Sequence, residues 1–359
     1  MKRLAAFGIV VSLVLVSFVA CGKKAEGPGA GAAGTEALLK LLPKNAQGVV
    51  VVDFHRLITM QFADKAIKED KNQAKYQEFI KETGIDPQKD IYGLAVALAG
   101  QGDGTAMKQE AAVVVALKYD KDLLLAKMKK DGAEIKEETY EGVVVYSGIK
   151  AEPGKPPASA AFLDASTAVA GSDGMVRQVI DVFAKKGDNI LKNDILAAII
   201  KTANKDAMVW SAFAIPEEAT KKLAQSNPMM GGLEGMKAMT LFFDYRDKTF
   251  LLEIKTQGGD PAKNKQLAEM LTGLKALGAG AAAKNPDVGE LLNRIEVSSG
   301  ADFVKIAAGL PEDVLERLTK SAAKKAEGMM KPKEEAKPEE PAEEPVEEPK
   351  EEPNEEPEG

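Results

Sequence analysis

The stretch Gly48-Val49-Val50-Val51-Val52-Asp53-Phe54 is the clearest guide to the fold of this chain. Four consecutive valines favour an extended strand, because β-branched side chains pack well on a pleated surface and lose freedom in a helix. A strand that is apolar at every position is typical of a sheet that is covered on both faces or lies beneath helices. We therefore predict a buried strand here.

Similar short apolar runs recur along the chain, and helix signals lie between them. Asp120 and Asp260 are predicted N-caps, the second followed by Pro261 at the first helical position. A hairpin turn is predicted from Asp244 to Lys248. The other predicted strands are Leu94–Ala99, Ala111–Leu117, Gly142–Tyr146, Ala160–Leu163, Thr167–Gly171, Ala207–Ala214, Met239–Tyr245, Thr249–Lys255, Arg294–Ser298 and Phe303–Ala308.

The order of these elements predicts an α+β fold, with a mainly antiparallel sheet and helices packed on it. From Gln47 to about Glu138 the predicted order is β-α-β-β-α-β, and from Asp206 to Ala308 it is β-α-β-β-α-β-β. We interpret the two runs as two α+β units, residues 37–204 and 205–328, with an internal duplication as one explanation. Whether the two units share one sheet is left open by the sequence.

Composition narrows the classes of function. The chain has 359 residues, a formal net charge of -7, one Cys and one His. A single Cys excludes an internal disulfide, and a single His excludes His-pair metal motifs. The last 29 residues hold 13 Glu and four Lys, a net charge of -9, which leaves +2 for residues 1–330. Nucleic-acid binding needs a basic face, so we expect no nucleic-acid partner, and we predict no metal or cofactor.

Residues 1–20 form a predicted signal peptide. Met1-Lys2-Arg3 is cationic, and the apolar run Leu4 to Ala20 is shorter than the roughly 20 residues that a membrane-spanning helix needs. The run ends at Phe18-Val19-Ala20-Cys21-Gly22, and this segment resembles the lipobox of bacterial lipoproteins. The resemblance implies cleavage before Cys21, diacylglycerol on its thiol, and acylation of the new amine with a fatty acid such as palmitate.

Acylation of Cys21 would anchor the protein to a membrane. Each buried methylene contributes about 0.8 kcal/mol, so several acyl chains together make the anchor effectively permanent. The expected location is therefore the exported side of a cell membrane, at the outer membrane or facing the periplasm in a Gram-negative cell. Two alternatives remain: an ordinary cleaved signal peptide with an incidental Cys21, or an uncleaved N-terminal anchor.

The predicted body is also similar to a loosely defined group of uncharacterised exported bacterial lipoproteins. Four stretches carry this resemblance: Leu42 to Ala46, Val50 to Asp53, Gly84 to Asp90, and a strand-turn-strand before a helix from Ala160 to Val176. The resemblance implies no activity, because none is assigned to the group.

The two flanking segments are predicted to lack regular structure. Residues 21–36 include a glycine-rich run and form a flexible spacer between anchor and body. Residues 329–359 form a disordered Glu/Pro-rich tail, because they have almost no apolar side chains to bury. The tail is either a solvated spacer or an interaction arm for an envelope protein or wall polymer.

Three functions are compatible with these features. The first is a non-enzymatic binding or scaffolding module that is lipid-anchored in the cell envelope. The second is a carrier of a lipid or other apolar ligand, with helices near Ile195–Ile200 and Leu267–Leu277 lining its cavity. The third is a hydrolase that uses His55 with Asp53. We favour the first and predict no catalytic residue, because the chain has no Gly-x-Ser-x-Gly nucleophile motif.

Overall fold

A computed structural model describes most of the predicted body. The chain divides into two compact units, Met1–Leu315 and Glu316–Gly359. In the second unit the described residues 316–319 are helical, and the Thr319 hydroxyl donates to the Glu316 carbonyl. Cys21, the predicted signal peptide and the predicted tail lie outside the described residues. The described residues are 32–101, 108–130, 134–149, 156–226, 228–282 and 286–319.

The described residues of the first unit form one antiparallel sheet of 12 strands. The strands are β1 (Gly48–Val52), β2 (Ile91–Gln101), β3 (Lys108–Leu117), β4 (Lys136–Tyr140), β5 (Val143–Ile149), β6 (Ala158–Phe162), β7 (Thr167–Gly171), β8 (Val209–Ala214), β9 (Met236–Arg246), β10 (Thr249–Gly258), β11 (Ile295–Ser299) and β12 (Val304–Pro311). They lie in the order β11-β12-β10-β9-β8-β1-β2-β3-β7-β6-β5-β4. The α+β class with a mainly antiparallel sheet is therefore confirmed.

Helices occupy the connections between the strands. They are α1 (Ala32–Leu39), α2 (Phe54–Ile58), α3 (Gln61–Ile67), α4 (Asp70–Thr83), α5 (Pro87–Asp90), α6 (Lys121–Lys130), α7 (Asp173–Phe183), α8 (Leu196–Thr202), α9 (Glu217–Ser226), α10 (Pro261–Ala281) and α11 (Pro286–Asn293). Residues 312–315, at the end of the first unit, are also helical. The Asp120 and Asp260 carboxylates cap α6 and α10, because each accepts a hydrogen bond from the backbone N–H two residues later, at 2.9 and 2.8 Å.

The valine strand β1 lies at the centre of the sheet, between β2 and β8. On the first face of the sheet, Val49 and Val51 are buried in a core that includes residues of α1, α7 and α8. On the second face, Val52 is buried against α2, together with Phe54 and Leu57. The burial of β1 on both faces explains why this strand is apolar throughout.

The strand order repeats outward from the β1–β8 boundary. On one side β1, β2, β3, β7 and β6 correspond to β8, β9, β10, β12 and β11 on the other, and β5 and β4 follow β6 at the edge of the sheet. The strands of both predicted units therefore share one sheet. At the middle of β1, Val50 lies opposite Val96 of β2 on one side and opposite Ser211 of β8 on the other.

Several predicted boundaries are wrong for identifiable reasons. Asp53 and Phe54 are not in the strand, because the Asp53 carboxylate caps α2 by accepting from the Arg56 N–H at 3.1 Å. Asp244 lies inside β9, and the hairpin turn is the pair Asp247-Lys248, with φ of 49° and 58°. Two positive φ values suit the right-handed twist of a two-residue hairpin.

The stretch Gly84 to Asp90 is a helix end followed directly by a new helix start. Gly84 has φ of 70° and ends α4 in the left-handed conformation that glycine adopts most easily. Asp86 then caps α5 by accepting from the Gln88 N–H at 3.1 Å, and Pro87 is the first helical residue. The Tyr76 hydroxyl donates to Asp86 and ties the two helices together.

Candidate functional site

The candidate pair Asp53 and His55 lies at the start of α2. Burial raises the pKa of the Asp53 carboxyl above its usual range. That carboxylate accepts from the Arg56 backbone, while Nδ1 of His55 is buried and has no hydrogen-bond partner among the described residues. Asp53 therefore does not orient Nδ1 of the imidazole as a carboxylate does in a Ser-His-Asp triad. Neither residue lines either of the two clefts described below.

A buried ion-pair cluster lies next to this pair. Asp244 has a side chain only 1% exposed, and its carboxylate accepts from Arg56 Nη2 at 2.8 Å and from Arg246 Nε. It also accepts from the backbone N–H groups of Met208 at 3.3 Å and Tyr245 at 3.0 Å. These contacts fully occupy the carboxylate, so we interpret the cluster as structural. It joins the segment after β1 to β8 and β9.

The larger of the two clefts has a volume of about 490 Å³. It lies between the loop after α1, the C-terminal half of α7 and the start of α8. We call it the aspartate cleft. It is lined by Pro43, Lys44, Asn45, Gln178, Asp181, Val182, Gly187, Asp188, Asn193, Asp194 and Ile195.

Hydrogen bonds hold the walls of the aspartate cleft in place. The Asn193 side chain donates to the carbonyls of Lys44 at 2.7 Å and Ala46 at 3.1 Å. Its oxygen accepts from the Leu196 N–H at 2.7 Å and so caps α8. The Lys44 N–H donates to the Asp188 carbonyl at 2.9 Å. Three segments that are distant in sequence are thereby fixed around one opening.

The three aspartates of the cleft differ in their partners. Asp188 pairs with Lys192 at 2.7 Å, and this hydrogen bond lowers the pKa of the Asp188 carboxyl. Asp181 accepts from the Tyr140 hydroxyl at 2.8 Å, and this bond raises the pKa of Tyr140. Asp194 is exposed. Within the described part of the chain, neither Asp181 nor Asp194 has a cationic partner.

A buried acceptor also belongs to the lining of the aspartate cleft. Gln178 lies on α7 one turn before Asp181, and its Oε1 is buried without a hydrogen-bond partner among the described residues. Buried polar atoms in native proteins are nearly always paired, so this unpaired acceptor is an exception to that rule next to the cleft. The apolar part of the lining includes Ile195, which is 46% exposed.

The second cleft is smaller, about 210 Å³, and lies where the end of α8 meets β8, β9 and β10. Two of its three charged side chains are engaged: Glu253 pairs with Lys305 at 3.8 Å, and the Lys255 ammonium lies 4.7 Å from the Phe303 ring centre. Its lining comprises Thr202, Ala203, Asn204, Trp210, Ser211, Thr240, Leu241, Phe242, Glu253, Lys255, Gln257 and Asp302.

An incompletely covered apolar surface lies on the second face of the sheet, across β9, β10 and β12. Leu241 is opposite Ile254, which is opposite Ile306, and Leu252 is 42% exposed. We call these four residues the apolar ladder. The corresponding pair on the other side of β1, Val96 and Val113, is buried with residues of α2 and α3.

The two helices proposed to line a carrier cavity have other roles. Leu196, Ile199 and Ile200 of α8 are core residues with exposures of 0–3%, packed in the same cluster as Trp210. In α10, Leu267 packs with the start of β9 and β12, whereas Leu274 and Leu277 face outward. The expectation that these segments line one cavity is therefore wrong.

Two properties of the described residues concern membrane-spanning helices and metal binding. Within the described ranges, no helix has both the length and the apolar character required to cross a bilayer. In the same ranges, no group of three or more His, Cys, Asp and Glu side chains is arranged to hold a metal ion.

The fold and its clefts define a one-sheet α+β protein with a cleft lined by aspartates and apolar groups on one side and a partly exposed apolar face on the other. The chain belongs to the family described as Protein of unknown function (DUF3352), which matches residues 4–256. No curated protein matches the chain.

The sequence alone does not identify the aspartate cleft, because no local motif joins its three segments.

Solved structures of TP0453 are similar to this chain. Crystal form III gives a TM-score of 0.45 at 13% identity and covers 79% of this chain and 97% of that chain. Crystal form I gives a TM-score of 0.42 at 9% identity, with coverage of 79% and 96%.

Proposed function

We propose that this protein is a lipid-anchored, non-enzymatic binding or scaffolding module of the bacterial cell envelope. The observation that carries the binding role is the aspartate cleft, whose volume of about 490 Å³ falls within the usual range of ligand sites. Its lining offers carboxylates, amides and apolar groups, which suit recognition. The anchoring role rests on Cys21 and on the apolar run that precedes it.

The position of Cys21 limits how far the body extends from a membrane. Only 11 residues lead from Cys21 to Ala32, the first residue of α1. At about 3.5 Å per residue, an acylated Cys21 keeps the start of the body within roughly 40 Å of the bilayer surface. The acidic tail would reach further, to about 90 Å when extended, and is our proposed arm for an envelope protein or wall polymer.

Mass spectrometry and fractionation test the anchor. The full chain with its own leader is expressed in a bacterium beside the Cys21→Ser variant. We expect the first protein in the membrane fraction, with a mature N-terminal peptide that starts at Cys21 and carries three acyl chains. We expect the variant to lack this modification. An intact Met1 in the cytosol, or a mature peptide with a bare Cys21 thiol, would contradict the proposal.

The apolar ladder favours a second candidate, a carrier of a lipid or other apolar ligand. Leu252 is exposed and the other three residues are half-buried, and exposed apolar patches on a protein commonly mark an interaction site. Protein purified in mild detergent should then retain lipid, detected by mass spectrometry of an organic extract, and Ile254→Lys should reduce its amount severalfold. Leu277→Lys, at a site 74% exposed on α10, is the matched control. Equal lipid in both variants would reject this candidate.

A further inference from the structure

We infer that the aspartate cleft binds an alkylammonium group, either a Lys side chain of a partner polypeptide or a free alkyl diamine. The inference rests on the proposed function only in taking this cleft as the binding surface, and it is independent of the acylation of Cys21. The argument uses the charge of the lining, its carboxylate acceptors and its apolar part.

The charge of the cleft is negative and incompletely compensated. Its lining has three Asp and one Lys. Lys192 contacts Asp188, and the charge of Lys44 also lowers the pKa of the Asp188 carboxyl. Lys192 and Lys44 therefore act on Asp188, and Asp181 and Asp194 contribute negative charge that attracts a positively charged ligand.

The available acceptors suit an ammonium group. One oxygen of Asp181 accepts from the Tyr140 hydroxyl, and the other lone pairs of this carboxylate remain open to a donor. An ammonium ion has three rotatable donors and needs only one oxygen from each group. Asp181 on α7 and Asp194 just before α8 supply these acceptors from two separate segments.

The apolar lining suits an alkyl stem beside the charge. Pro43, Val182 and the partly exposed Ile195 contribute carbon surface to the same cleft. A chain of four or five methylenes would bury against these side chains while its charged end reaches the aspartates, which is how lysine stems commonly pack. A small metal ion would gain nothing from this surface.

Ligand-observed NMR on the full chain tests the inference with two cationic probes. The probes are 1,5-diaminopentane and a blocked Gly-Lys-Gly tripeptide, and their neutral counterparts are 1-pentanol and the tripeptide with an acetylated lysine. We expect saturable binding of the two cations and no binding of their neutral counterparts. The affinity for the cations should fall when the salt concentration rises from about 0.05 to about 0.5 M, because the Debye length shortens. Tighter binding of the tripeptide indicates a polypeptide source, and tighter binding of the diamine a free amine.

Substitutions locate the binding. Asp194→Asn and Asp181→Asn should each weaken both cations about two- to fivefold, which is the usual effect of losing one partly exposed charge. Asp247→Asn removes the same charge at the exposed β9–β10 turn and should leave binding unchanged. Equal binding of the neutral probes, equal weakening by Asp247→Asn, or no saturable binding of either cation would overturn the inference, whatever the state of Cys21.

Discussion

Replacing Asp244 with alanine should destabilise the protein more than replacing any single exposed charged residue does. The Asp244 carboxylate is the shared partner of Arg56 and Arg246, and it also accepts from the backbone of Met208 and Tyr245. The variant removes all four contacts at once. It also leaves two backbone N–H groups without their acceptor where β8 begins and β9 ends.

The size of the effect follows from burial. Removing one partner of a buried ion pair usually costs about 3–5 kcal/mol. Here the side chains of Arg56 and Arg246 are 36% and 52% exposed and regain water, so we expect the lower end, about 3 kcal/mol. Asp244→Asn keeps an oxygen acceptor for the backbone and should cost about half as much. For a body of this size, about 3 kcal/mol corresponds to a decrease in Tm of roughly 6–12 °C.

Urea unfolding of the full chain at pH 7, followed by circular dichroism, measures these differences. Asp247→Asn, three residues away in the exposed turn, is the control and should change the free energy of unfolding by less than about 0.5 kcal/mol. The expected order of stability is the control, then Asp244→Asn, then Asp244→Ala. If Asp244→Ala unfolds at the same urea concentration as the control, the cluster does not connect the two halves energetically.

Three further substitutions probe other features. Burial raises the pKa of the Asp53 carboxyl, so the folded state binds its proton more tightly than the unfolded state does. In urea titrations, the wild type should therefore gain stability relative to Asp53→Asn as pH falls from 7 toward 4. A difference in stability that does not change with pH would contradict this. Gly171→Ala should cost at least about 2 kcal/mol, because a Cβ there would lie 2.1 Å from the Ala111 carbonyl oxygen. Gly273→Ala, in open space on α10, should instead raise stability by about 0.5–1 kcal/mol in the same assay.

Local patterns in the sequence predict many elements of this fold. The valine run marks β1, and the caps at Asp120 and Asp260 mark the starts of α6 and α10. Each of these signals is contained within a few residues, because β-branched packing and backbone capping act over short distances. The α+β class follows from the order of such elements.

Features that depend on distant residues could not be predicted. In the sequence, Asp244 resembles a turn residue. In the fold it is buried, because Arg56, which is 188 positions earlier in the chain, compensates its charge. The pairing of β1 with β8 has no local signal either. The aspartate cleft combines the loop after α1 with α7 and α8, so its residues come together only after the sheet has formed.

The central place of β1 has a consequence for how the chain acquires its structure during synthesis. Residues 48–52 emerge early, but their β8 neighbour, residues 209–214, emerges more than 150 residues later. Until then, one side of a valine-rich strand presents unpaired backbone groups, which is the kind of edge that recruits other chains. A nascent chain that stalls before residue 209 would therefore be prone to aggregate. A chaperone that covers the unpaired side of β1 would protect the chain most during that interval.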